Sequence, residues 1–143
     1  TPKPSSAASD VYKRQSMTFS FSAAIEGTWK TIDDITHQPK ALVKIQRTGN
    51  TYFGTVTYLF PGATKICTKC SGQNKNRPIL NLVILKGLKD VGNNAYENGR
   101  LFDPESGRTY SGSAQLLNRD QLKLHGYVGI KLLGRSQIWQ RVR

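Results

Sequence analysis

From Gly27 onward the chain runs in short stretches of alternating apolar and polar residues, each closed by turn-forming residues at intervals of about ten positions. In KALVKIQR (residues 40–47), Ala41, Val43 and Ile45 fall on one face and Lys44 and Gln46 on the other. Successive side chains of a strand point to opposite faces, so this run reads as a half-buried strand. GTWKT (residues 27–31) precedes it, and TYFGTVTYLF (residues 51–60) follows a Thr48-Gly49-Asn50 turn. The nearly continuous apolar run ILNLVIL (residues 79–85) reads as a buried strand, or as a short helical turn leading into one, with residues 87–94 turning the chain. AYENGRLF and RTYSGSAQLL form a hairpin across DPESG; QLKLHGYVG and RSQIWQRVR complete the series. The pattern predicts an all-β fold: a single antiparallel up-and-down β-barrel of about eight strands.

An even strand count lets the last strand pair with the first and removes both exposed edges. Closure of that kind brings the strands of Trp29 and Trp139 together. It also places an arginine of the last strand, Arg141 rather than Arg135, over the Trp29 ring as a cation–π cover.

The chain has 143 residues and a formal net charge of +12. A field of that sign draws polyanions such as nucleic acid, anionic lipid or acidic envelope polymers. The basic residues are scattered along the strands, however, and no nucleic-acid motif accompanies them, so nucleic acid is not an expected partner. No apolar run approaches the roughly 20 residues of a helical membrane span.

The opening residues stand apart. Ser5 to Gln15, SSAASDVYKRQ, has no strand or helical period and resembles the conceptual translation of a transposase-type sequencing adapter. Residues 1–15 are therefore set aside from the fold as non-native. Without them the charge is +10. Residues 16–24, ending Ser22-Ala23-Ala24, have the small residues of a signal-peptidase site and read as the remnant of a secretory signal. The barrel domain is then residues 25–143, in a periplasmic or secreted protein.

Four stretches carry a more specific resemblance: GTWKTIDD, CTKC with SGQNKNRPILNL, YENGRLFDPESGRTY and LHGYVGIKLLGRSQIWQRV. Together they resemble the uncharacterised bacterial family known as domain of unknown function 2147, over essentially residues 25–142. The resemblance implies a small protein preceded by a secretory signal and with no assigned activity. His125 departs from it, standing before Gly126-Tyr127 where arginine is commoner.

Candidate chemistry is sparse. Cys67 and Cys70, the only cysteines, can be a disulfide, part of a metal site or a redox dithiol. An oxidising compartment favours the disulfide, and no βαβ setting supports a thioredoxin-like thiol. His37 and His125 lack paired metal-ligand spacing, so no metal or other cofactor is expected. Asp33, Asp34, Asp103 and Glu105 fall in turns, where carboxylates cap backbone N–H groups. The best binding candidate is the Gly-rich stretch from Gly126 to Trp139. Tyr127, Lys131, Arg135, Gln137 and Trp139 there surround Ile130, Leu132 and Leu133 at a barrel mouth; the alternative is that Leu132 and Leu133 cap the barrel end as ordinary core. The reading is a non-enzymatic monomer outside the cytoplasm, binding a small apolar or anionic molecule or an anionic envelope component. The alternatives are a thiol-dependent redox protein or enzyme using Cys67 and Cys70, and a structural module of the envelope.

Overall fold

The computed structural model describes residues 25–130 and 134–142. The proposed adapter segment and signal remnant, and Lys131 of the mouth segment, lie outside the described residues. Eight strands follow one another in chain order: β1 (Gly27–Ile32), β2 (Pro39–Thr48), β3 (Thr51–Leu59), β4 (Val83–Gly92), β5 (Ala95–Asp103), β6 (Arg108–Asn118), β7 (Gln121–Tyr127) and β8 (Arg135–Arg141). Each pairs antiparallel with the next, and β8 pairs back onto β1 through Trp29↔Arg141 and Lys30↔Gln140. The result is a closed up-and-down barrel with no free sheet edge.

Alternation does what the sequence pattern requires. Ala41, Val43 and Ile45 are buried on β2, and Leu122 and Leu124 on β7, while Lys44 and Lys123 between them are exposed. Two expectations about β4 are corrected. The run 79–85 is not one strand: Asn81 takes a positive φ of 72° and donates its N–H to Val56, so residues 79–82 form a non-helical turn and β4 begins at Val83. Residues 87–91 do not turn the chain either. Gly87, at φ 74°, lies within β4, and the reversal falls at Asn93-Asn94, both at positive φ. Positive φ at both central residues is what a two-residue type I′ hairpin demands, and asparagine tolerates it.

The hairpin turns gather at two ends. One end holds the β2–β3, β4–β5 and β6–β7 turns and is solid. Trp29 is fully buried there, donating its indole N–H to the Ile25 carbonyl at 3.0 Å. The Arg141 guanidinium lies 4.3 Å from the Trp29 ring centroid and donates to the carbonyls of Arg119 (2.6 Å) and Glu26 (3.1 Å). Tyr52 and Tyr96 meet edge to face, with centroids 5.5 Å apart, in the same buried core as Leu88. The other end carries the loops after β1, β3, β5 and β7, and it is open.

Candidate functional site

A cavity of about 420 Å³ occupies the open end. Strands β7 and β8 build one wall from floor to rim, because their register stacks three pairs: Leu122↔Trp139, Leu124↔Gln137 and Gly126↔Arg135. Trp139, buried at the floor, donates its indole N–H to Gln137 Oε1 at 3.3 Å. Gln137 thus takes one hydrogen bond from the protein and leaves its amide N–H₂ as a polar group on the wall. Val56, Ile84, Leu101 and Tyr110 supply much of the remaining lining. Gly126 keeps the space open: a Cβ there would meet only Leu101 and Tyr110, at ordinary contact distances of 3.5 and 3.6 Å.

Of the mouth residues singled out from sequence, Tyr127, Arg135, Gln137 and Trp139 all border this cavity. Arg135 is not a free cation. Its guanidinium pairs with Asp34 at 3.1 Å. Lys40, a rim residue the sequence did not single out, sits 2.6 Å from Glu105 and 3.7 Å from Asp33. In a ring of eight strands β2 lies nearly opposite the β5–β6 turn, so Lys40–Glu105 spans the mouth. Among the described residues, the two rim cations Lys40 and Arg135 are therefore both matched by carboxylates. Asp33 also accepts the Thr36 and Ile35 N–H groups, and these backbone hydrogen bonds hold its carboxyl below the usual value of 3.8. Asp103 caps its own turn through the Glu105 N–H and the Ser106 hydroxyl. His125 lies on the opposite face of β7 from Leu124; its Nδ1 is 2.8 Å from Ser136 Oγ and its ring stacks on Tyr127. His37 is exposed in the loop after β1.

Cys67 and Cys70 form a disulfide. Cys67 is fully buried and Cys70 is 4 % exposed. The bridge anchors the long loop between β3 and β4 onto the β5–β6 turn, where Cys67 Sγ lies 3.5 Å from the Pro104 carbonyl and Gly107 packs on the Lys69 carbonyl. Only glycine fits there, since any Cβ would collide with that backbone. The bridged loop thus forms part of the barrel's flank beside the mouth. Among the described residues no cluster of His, Cys, Asp and Glu is placed to hold a metal ion, and no helix is long and apolar enough to cross a membrane.

A closed eight-stranded antiparallel barrel, plugged at one end by a tryptophan under an arginine and hollow at the other, has a lipocalin-like fold. The solved structure of protein HP1028 from the human pathogen Helicobacter pylori, described as belonging to the lipocalin family, is similar to it at a TM-score of 0.73 and 18% identity, over 82% of each chain. The family model for uncharacterized proteins conserved in bacteria, DUF2147, matches residues 27–141, and the chain belongs to that family. No curated protein matches it.

Proposed function

We propose that this barrel is a non-enzymatic carrier or sensor that binds one small, largely apolar molecule in its open end, outside the cytoplasm and as a single chain. The observation that carries the reading is the cavity of about 420 Å³, within the roughly 300–1,000 Å³ range of small-molecule sites. It lies opposite an end packed solid. Barrels of eight strands either fill with side chains or hold one small ligand. Here the glycine at position 126 and the shift of bulky residues toward the closed end favour the second state. The lining is mainly apolar, with Thr31, Thr64 and the Gln137 amide among its polar members to orient the guest. The fold of HP1028, a described lipocalin, supports the same reading by likeness of architecture.

The extracytoplasmic placement draws on the Cys67–Cys70 disulfide, since such bridges persist in oxidising compartments. The burial of both sulfurs favours a loop staple over a redox dithiol, which needs an accessible thiolate. The closed ring leaves no strand edge for pairing with another chain, which favours a monomer.

The test is titration with the uncharged apolar dye N-phenyl-1-naphthylamine, read through its own emission and quenching of Trp139 at the cavity floor. Wild type is expected to bind it saturably, and Gly126→Leu, which fills the cavity, is expected to weaken binding at least about tenfold. Equal binding by both proteins would place the dye elsewhere and defeat the proposal. Native mass spectrometry of protein from its own host then identifies the guest.

A further inference from the structure

A second depression, of about 970 Å³, lies on the outside of the barrel, between the disulfide loop and the surface of β4, β5 and β6. Three cations border it: Arg77 from the loop, Lys86 from β4 and Arg100 from β5. No carboxylate is among its lining residues, and none of the ion pairs among the described residues involves these three. Lys86 and Arg100 are direct cross-strand partners. Like charges in that position repel and cost stability. A few residues along the same pair of strands, Lys89 stands opposite Glu97, so the hairpin accommodates a complementary pair there and a repulsive one at the groove.

The groove also meets the cavity. Ile84 and Phe102 line both spaces, so the boundary between the inner and outer compartments is formed in part by two shared apolar residues. At the mouth, by contrast, both bordering cations of the described residues, Lys40 and Arg135, already hold carboxylates. An anionic group seeking unmatched positive charge next to the cavity finds it in the groove.

We infer that the groove is the headgroup subsite for a single-chain amphiphile bearing a phosphate, the chain passing the Ile84–Phe102 boundary into the cavity; this rests on the proposed binding of an apolar molecule there. Arg77 and Arg100 present planar forks suited to phosphate oxygens, with Lys86 as a point charge between strand and loop. Binding the phosphate removes the Lys86–Arg100 repulsion. The site is open to solvent, so its contribution falls as salt rises.

The experiment compares dodecyl phosphate with dodecanol, the same chain with and without the charge, by displacement of the neutral dye from wild type and from the Lys86→Gln/Arg100→Gln variant. Removing a repulsive pair is not expected to impair folding, and the thermal midpoint should stay level or rise. Dodecyl phosphate should bind wild type about tenfold more tightly than dodecanol at low salt. The variant should erase that preference and leave dodecanol binding unchanged. Arg77→Ser, on the loop, provides an independent second variant and should reduce the preference severalfold. The inference is overturned if wild type shows no preference for the phosphate, if the variants keep it, or if both probes weaken equally. Failure of wild type to bind either the dye or dodecanol would instead defeat the cavity reading, and the subsite with it.

Discussion

The two ends of this barrel are made from the same strands and carry opposite solutions to the same problem. At the closed end, large side chains converge: Trp29, Tyr52, Tyr96, Leu88 and Leu122 are all buried, and Arg141 covers the outer face of the Trp29 ring. At the open end, the strands bring glycine, an amide and a rim of ion pairs, and the interior stays hollow. Packing at interior density resists any change of volume, whereas a hollow end tolerates new atoms. The contrast assigns stability to one end and binding to the other.

The largest expected effect strikes the closed end. Trp29→Ala removes the plug, the indole bond to Ile25 and the platform under Arg141. Truncating a buried aromatic of this size costs about 3–5 kcal/mol, and urea unfolding should show a loss in that range with an unchanged slope. A loss under about 1 kcal/mol would show that the closed end is not the structural anchor. The next effect belongs to the flank of the open end. Converting Cys67 and Cys70 together to alanine opens a very short covalent loop, for which loop-closure entropy amounts to about 2 kcal/mol. The same variant should loosen the loop beside the mouth and raise amide exchange at residues 66–79, leaving the Trp29 end protected. Uniform loss of protection over the whole barrel would erase the distinction between the ends.

The sequence made the closed end readable and the open end only partly so, for a physical reason. Alternation within β2 and β7, the even strand count and the Gly-x-Trp opening are local signals, and they lead directly to the barrel and to Arg141 over Trp29. Tyr127, Arg135, Gln137 and Trp139 follow from one Gly-rich segment, and all four do border the cavity. What stayed hidden depends on distant residues meeting. Lys40 and Glu105 are far apart in sequence and become partners only because β2 and the β5–β6 turn oppose each other across the ring. Lys86 and Arg100 needed more: a register shift between Asp90 and Gly92 moves the ladder by one residue and sets the two cations face to face. Counting back from the Asn93-Asn94 turn without that shift would pair Lys86 with Leu101. A one-residue slip of this kind changes which side chains oppose one another, and no local pattern announces it.

The smallest expected effect separates the ends by pH. Burial raises the Tyr96 phenol from 10.0 to about 12, and burial also raises Tyr52, its edge-to-face neighbour. A phenol that ionises later in the folded state than in the unfolded chain binds more protons when folded between the two values. Its contribution is therefore complete below pH 10 and lost as the pH climbs toward about 12. Asp33 runs the other way. Its pKa is depressed in the folded protein, so its contribution is present above its unfolded value of 3.8 and disappears as acid takes the pH down through the lower folded one. Alkali should thus act first on the closed end and be followed by tyrosinate absorbance, with Tyr96→Phe delaying the transition. Acid should act first on the loop holding Asp33, reducing dye binding before the far-ultraviolet β signal changes. If acid abolishes the β signal and dye binding together, or Tyr96→Phe leaves the alkaline transition where it was, then the ends do not titrate separately and the division of labour between them fails at its most sensitive test.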